Sequence, residues 1–373
     1  MPGTGPIDGM RYLMTSAVTV AVIFGGRSSE HAVSCQSAAG VLQALDRTRY
    51  TVVPVRITVD GVWLVGTDRP GTTVDVEALH AMTPGEPGGP VTPIESMLTA
   101  LAALRDVDVV LPCLHGPYGE DGTLQSVLEF AGLPYVGSGV LAGAVSMDKE
   151  FTKKILAAEG IPVADGVVLR HAGDSVSEDE RARLGLPVFV KPARGGSSIG
   201  VSVVHDWSEL PAAVETARET DTKVLVEGAV PGREIDIGVL ELPGGDIVAG
   251  PTLEIGVGAQ RAFFDHAAKY LQDQGTTFTV PAELDAETTE ELEVLALRVF
   301  RVLGCAGLLR VDFFLPVVDG RVVPTVNEVN TMPGLTAMSQ FPLMWRAAGT
   351  PYAELLNVLI GTVLHASPRL AHS

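Results

Sequence analysis

Basic residues are scarce in this chain. Lys and Arg total 26 against 45 Asp and Glu, a net charge of −19 over 373 residues. A nucleic-acid backbone would repel such a surface, so nucleic acid is not an expected partner, and any site for an anion must be locally basic. Cysteine is scarcer still: Cys35, Cys113 and Cys305 are odd in number and lack C-x-x-C spacing. That excludes a disulfide framework and predicts reduced thiols in a cytoplasmic protein. Long hydrophobic runs are missing too. The run over residues 18–24 falls far short of the ~20 residues a membrane span needs, so no membrane is expected. Residues 1–16 show no charged segment leading into a long apolar stretch, and the expectation is a disordered extension rather than a signal peptide. Neither common phosphate-loop motif occurs. There is no G-x-x-x-x-G-K-[ST], and Gly25-Gly26 does not continue as G-x-G-x-x-G, which argues against a P-loop kinase and a nicotinamide dehydrogenase.

What is present suffices for two or three cores, since 46% of the residues are hydrophobic. A β-branched run at 18–24 leads into a glycine turn and a helical pattern at 31–45; 50–57 and 108–114 read as further strands. Strands alternating with helices predict a mostly parallel sheet, whose sites lie past the carboxyl ends of the strands, where Glu30 and His115 fall. Residues 82–93, rich in Pro and Gly, read as a loop. A second unit, 139–230, starts with a helix at 146–159, followed by strands at 188–190 and 201–204 joined by a glycine-serine loop as a hairpin, and by a strand at 223–227. A third, 231–373, has strands at 234–240, 308–315 and 322–329, a helix at 286–303, and a polar interruption at 259–279. The first unit is then 1–138, and the fold class is mixed α/β.

Two constellations carry chemistry. Glu328 and Asn330, two apart on a strand, share a face, and Asp312 stands on a strand separated from theirs only by a short turn. Two carboxylates and an amide oxygen on adjacent strands suit Mg²⁺, which keeps its other positions for water and phosphate. Lys191 ends an apolar strand, and the following Gly195, Gly196, Ser197, Ser198 and Gly200 can offer backbone N–H groups and hydroxyls to an anion. A hairpin with acids on its wet face and an ordinary flexible turn explain the same residues, and residue types alone leave both readings open.

The order of the pieces narrows the choice. Phe24-Gly-Gly-Arg-Ser-Ser-Glu30, His115-Gly-Pro-Tyr-Gly-Glu-Asp-Gly-Thr123, Met147-Asp-Lys149, Lys191-Pro-Ala-Arg-Gly-Gly-Ser-Ser-Ile-Gly200, Ala268-Lys-Tyr270, Arg310-Val-Asp312 and Asn327-Glu-Val-Asn-Thr-Met-Pro-Gly334 follow one another in a fixed sequence. In these stretches the chain resembles the D-alanine–D-alanine ligases, from about residue 18 to 364. The resemblance implies an ATP-grasp fold behind an N-terminal Rossmann-like parallel-sheet domain. It implies ATP between the second and third units and two Mg²⁺ ions, replaceable by Mn²⁺, on Asp312, Glu328 and Asn330. A cytoplasmic homodimer joined through the first unit is implied as well.

Roles follow from the resemblance residue by residue. Lys149, Lys191, Ser198 and Lys269 would hold ATP, with Glu227 at the adenine and Glu234 at the ribose. Arg310 would stabilise the transferring phosphoryl group, with the Gly334 N–H as an oxyanion donor. Glu30 would take the ammonium of the first D-alanine and His115 its carboxylate region, with Glu120 either orienting His115 or standing in solvent. Ser197 and Tyr270 would bond with Glu30 and close a lid, 255–279, over the site. Ser339 would hold the second substrate's carboxylate. Lys153 reads as a solvated helix position. Two departures stand out. The lid runs Phe263-Phe-Asp-His-Ala-Ala-Lys-Tyr270, where the family has Phe-Tyr-Asp-Tyr before Lys-Tyr. Gln340 follows Ser339, where dipeptide-forming members have Leu or Met. A polar Gln340 beside the second substrate leaves D-serine open as an alternative to D-alanine; Tyr270 speaks against D-lactate. An inactive ATP-binding module is the alternative of another class.

Overall fold

Strand β1, Val18–Gly25, is buried along its length except for Thr19, which is partly exposed, so its apolar run shows no polar alternation. In the computed structural model, which describes residues 18–68, 92–257 and 276–366, it is the centre of the first sheet. Helix α1, His31–Ala44, follows, then β2, Tyr50–Ile57, parallel to β1, and β3, Trp63–Val65, antiparallel to β2. After α2, Pro93–Ala103, strand β4, Val109–Pro112, pairs parallel with the other side of β1, giving the order β3-β2-β1-β4. The segments leaving β1 and β4 therefore emerge at one edge. Gly25 is required there: its φ is +92°, and a Cβ would lie 2.2 Å from the Ile57 carbonyl oxygen. Helix α3 is Thr123–Phe130.

The single helix expected at 146–159 is two, α4, Val140–Met147, and α5, Lys149–Ala158. Asp148 stands between them in an extended conformation and caps α5 by accepting from the Phe151 N–H. Strand β5, Gly166–Leu169, helix α6, Glu178–Leu184, strands β6, Val188–Pro192, and β7, Ser202–Val204, helix α7, Leu210–Arg218, and strand β8, Val224–Gly228, come next. Their sheet runs β5-β8-β6-β7, antiparallel throughout, and β6–β7 is the glycine-serine hairpin.

The third sheet runs β11-β10-β9-β12-β15, again antiparallel. Its strands are β9, Arg233–Glu241, β10, Ile247–Val257, β11, Thr276–Thr279, β12, Leu308–Leu315, and β15, Thr325–Asn330, with a small hairpin of β13, Val317–Val318, and β14, Arg321–Val322. Helix α8, Ala286–Val302, precedes β12; α9, Gln340–Ala347, and α10, Tyr352–Ala366, end the described chain. The last strand begins at Thr325 rather than 322. Within the polar interruption expected at 259–279, Thr276–Thr279 is a strand paired with β10, while 258–275 lie outside the described residues. So do 1–16 and 82–91; Pro93 opens α2 behind a capping box of Thr92 and Glu95.

Packing crosses these stretches. Leu355, Leu356 and Leu359 of α10 share a core with Val20, Val22 and Val41, and the Tyr50 hydroxyl donates to Asn357 Oδ1 at 2.9 Å. Leu156 of α5 packs with Ile235, Leu292 and Val311, so α5 belongs to the core of the third sheet. Among the described residues no helix is long and apolar enough to cross a membrane.

One side chain ties the edge together. Ser34 Oγ, fully buried in α1, accepts the Gly25 N–H at 2.7 Å and donates to the Cys113 carbonyl at 2.6 Å. Ser34→Ala leaves both groups buried without a partner and is expected to cost about 1–3 kcal/mol in urea unfolding. A loss below roughly 0.5 kcal/mol would mean that this bond does not hold the edge.

Candidate active site

Three chain segments converge at the first sheet's carboxyl edge. Glu30, just before α1, is buried and accepts a hydrogen bond from the Ser197 hydroxyl in the β6–β7 loop. The loop comes so close that a Cβ on Gly196 would lie 2.7 Å from Glu30 Oε2. Ser197 and Ser198 have φ of +53° and +57°, and left-handed backbone of this kind turns successive N–H groups toward one side. His115, after β4, is buried; its Nδ1 lies 3.0 Å from the Met332 carbonyl and its Nε2 3.0 Å from Ser37 Oγ. A carbonyl can only accept, so Nδ1 carries the proton, and burial holds the imidazole below its ordinary pKa although Glu30 pulls the other way.

Glu120 does not orient His115, nor is it solvated. It is partly buried and accepts the Gly116 N–H at 2.7 Å and the Met332 N–H, fastening the loop after β4 to the segment after β15. Burial, then the nearby Glu30 carboxylate, push its pKa up to about 8.

On the third sheet, Asp312 sits opposite Glu328 on one side and Asp236 on the other. Arg310 gives Nε and Nη2 to the two Asp312 oxygens, both at 2.7 Å, and its Nε lies 3.4 Å from Asp236. Burial opposes the charge of Arg310, but Asp312 and Asp236 outweigh it and hold the guanidinium firmly protonated. Asn330 donates to Asp312 Oδ2 at 3.1 Å. Lys149, the first residue of α5, donates to the Gly195 carbonyl at 2.7 Å and lies 3.5 Å from Glu328. Among the described residues no three His, Cys, Asp or Glu side chains form a compact metal cluster; the expected set is two carboxylates and an amide.

Two cavities flank this junction. One, about 450 Å³, is lined by Lys191, Ser198, Glu227 and Glu234 with Phe189, Val201, Val203 and Ile255. The other, about 570 Å³, is lined by Glu30, His115, Glu120, Ser197, Arg310, Asn330, Gly334, Ser339 and Gln340. Lys149, Gly195, Gly196 and Glu328 line both, so the cavities meet at these residues. Asp312 lines neither and reaches the site through Arg310 and Asn330. Lys269 and Tyr270 lie outside the described residues.

Lys153 differs from expectation, and Gln340, in the cavity lining beside Ser339, makes a contact the sequence does not show. Gln340 Oε1 accepts from Arg310 Nη1 at 2.8 Å, so its carbonyl serves the guanidinium, and its buried Nε2 makes no hydrogen bond among the described residues. Lys153 is not solvated: it is 8% exposed and paired with Glu227 at 2.7 Å. The signal was its place one turn after Lys149, which puts both lysines on one helix face. Asp236 was missed as well, although an acid within the apolar Ile235-Asp236-Ile237 marks it.

Comparison with known proteins identifies the family. Residues 19–138 match the family profile "D-ala D-ala ligase N-terminus" and 155–361 match "D-ala D-ala ligase C-terminus". The chain belongs to the D-alanine–D-alanine ligase family. It is 53% identical to the D-alanine–D-alanine ligase of Mycobacterium sp. strain KMS, over 92% of this chain and 96% of that one. It is 52% identical to that of Nocardia farcinica, covering 94% and 98%. Among solved structures, the VanG D-Ala:D-Ser ligase of Enterococcus faecalis superposes with a TM-score of 0.74 at 32% identity, over 93% of this chain and all of that one. The Bacillus anthracis ligase complexed with ATP gives 0.70 at 32%, covering 93% and 98%. D-alanine–D-alanine ligases are ATP-dependent, ADP-forming enzymes, and the architecture above is their ATP-grasp fold.

Glu120 gives this ligase a measurable pH signature. Its folded pKa, about 8, exceeds the ordinary 4.5, so between these values the folded state holds a proton that the unfolded chain has released. Stability from this group is complete below the lower value and lost as pH rises through the upper one. The melting temperature of wild type relative to Glu120→Gln is therefore expected to fall from pH 5 to pH 8. Parallel melting curves across that range would contradict the assignment.

Proposed function

We propose that this protein joins two D-alanine molecules at the expense of ATP, supplying a dipeptide for peptidoglycan precursors. The observation that carries the reading is the meeting of the two cavities at Lys149, Gly195, Gly196 and Glu328. A nucleotide in one cavity then presents its terminal phosphate to an amino acid in the other. Residues 1–138 carry the amino acids, and 139–230 and 231–373 hold ATP between them. Lys149, Lys191 and Ser198 contact phosphate oxygens, and Glu227 and Glu234 the nucleoside.

Glu30 takes the ammonium of the first D-alanine, and neutral His115 stands by its carboxylate. A carboxylate oxygen attacks the γ-phosphorus as the bond to the β-phosphate oxygen breaks, giving D-alanyl phosphate and ADP. The neutral amine of the second D-alanine, whose carboxylate is held at Ser339, then attacks the acyl carbon. The C–O bond to phosphate breaks, phosphate leaves, and the amine proton is lost. Arg310 and the Gly334 N–H stabilise the charge that builds on oxygen in both steps. In this reading Lys269 contacts ATP, and Tyr270, with Ser197 and Glu30, keeps water from the acyl phosphate.

The acids fit a hard divalent cation. Asp236, Asp312 and Glu328 outnumber Arg310 and Lys149, and a carboxylate has lone pairs for both a guanidinium and a metal. Asp312, Glu328 and Asn330 are the ligands in this reading, for two Mg²⁺ or Mn²⁺ ions. Bound there, the metal would neutralise phosphate charge. A cytoplasmic homodimer completes the reading. Relatives 52–53% identical are named for D-alanine, which favours it over the D-serine alternative.

Purified protein is expected to release ADP from ATP with Mg²⁺ and D-alanine but not with L-alanine. Glu328→Ala should lower kcat by roughly 100-fold or more, as loss of a charge clamp on the transferring group does. Near wild-type turnover in that variant would overturn the metal assignment.

A further inference from the structure

Glu227 at the end of β8 sits between two buried ammonium groups. Its Oε1 lies 2.7 Å from Lys153 and its Oε2 2.6 Å from Lys191, with all three side chains at or below 10% exposure. Burial alone would raise the Glu227 pKa, but the two lysines together hold it below its ordinary value. Lys191 and Glu227 line the smaller cavity, whereas Lys153 does not. Lys153 thus meets the carboxylate oxygen opposite to the one that Lys191 holds.

This arrangement resolves a conflict. While Lys191 is paired with Glu227 its charge is largely neutralised, and turning it fully toward a phosphate takes it from that carboxylate. Pulling it away from a lone partner would strand a buried carboxylate, which is strongly unfavourable. With Lys153 in place, two cations share one carboxylate, and one of them can leave without stranding it. We propose that Lys153 is a positioning residue for nucleotide binding: it keeps Glu227 paired while Lys191 exchanges that carboxylate for the phosphates of the incoming nucleotide. The proposal rests on the reading that this cavity takes ATP. Lys153 also faces Lys191 and Lys149, and burial, ahead of the opposing Glu227, brings its pKa down to about 8. The exchange therefore weakens as pH rises past that value and the carboxylate loses its second cation.

The test is equilibrium binding of Mg-ADP to the full chain, with the KM for ATP and for D-alanine measured alongside. Lys153→Met is expected to weaken Mg-ADP at least about tenfold and raise the KM for ATP while moving that for D-alanine less than about twofold. Lys153→Arg should restore most of the affinity. In a Glu227→Gln background, with no carboxylate left to pair, Lys153→Met should weaken binding less than about threefold. Should Lys153→Met fail to fold, the pH arm decides: wild-type affinity falls between about pH 7 and 9, and Lys153→Arg flattens that fall. Wild-type affinity in a folded Lys153→Met protein, an equal penalty in the Glu227→Gln background, or a flat wild-type profile overturns the proposal and leaves the ATP reading standing. A wild-type protein that binds no Mg-ADP overturns both.

Discussion

Arg310 and Asp312 face each other through two parallel N–H···O bonds of 2.7 Å, buried in the third sheet. Charge-assisted pairs of this geometry are among the strongest a side chain can form. Here the pair fixes the guanidinium at the floor of the larger cavity. Strand register makes it possible, because β12 lies between β9 and β15 and so sets Asp236, Asp312 and Glu328 in one row across the sheet. Three carboxylates against the Arg310 guanidinium and the Lys149 ammonium leave one negative charge in excess in a poorly solvated place. That excess is the electrostatic basis for the cation in the proposed function.

The remaining parts reach this row from other sheets. The β6–β7 loop touches Glu30, α5 brings Lys149 to Glu328, and His115 and Glu120 bind the backbone at Met332, two residues past Asn330. Each contact joins segments distant in sequence, and α10 closes the C-terminal end of the described chain onto β1. The junction of the two cavities is thereby held from several directions, the kind of rigidity that catalysis by positioning requires.

Much of this is legible in the amino-acid sequence. Strands 50–57 and 308–315 agree with the structure at both ends because dense β-branched and apolar runs stop abruptly at polar or proline residues. The break at Asp148 was hidden, since two helices in succession keep an apolar pattern through a one-residue cap. Lys153 was misread because a lysine on a helix is by default solvated, and only a partner 74 positions away, Glu227, makes its burial tolerable. Glu120 carries the same lesson: its neighbours in space are backbone amides, which no side-chain pattern reveals. Motif order found the residues lining both cavities. Which of them touch one another depended on sheet register and on burial.

The central claim is that a carboxylate of the first amino acid takes the phosphoryl group directly, at the junction where Lys149 and Glu328 line both cavities. D-alanine labelled with oxygen-18 in its carboxylate tests it, with mass spectrometry of the phosphate released during turnover. The account predicts one labelled oxygen in each phosphate, carried over when the acyl–oxygen bond breaks. Phosphate free of label, with dipeptide still forming, would contradict it.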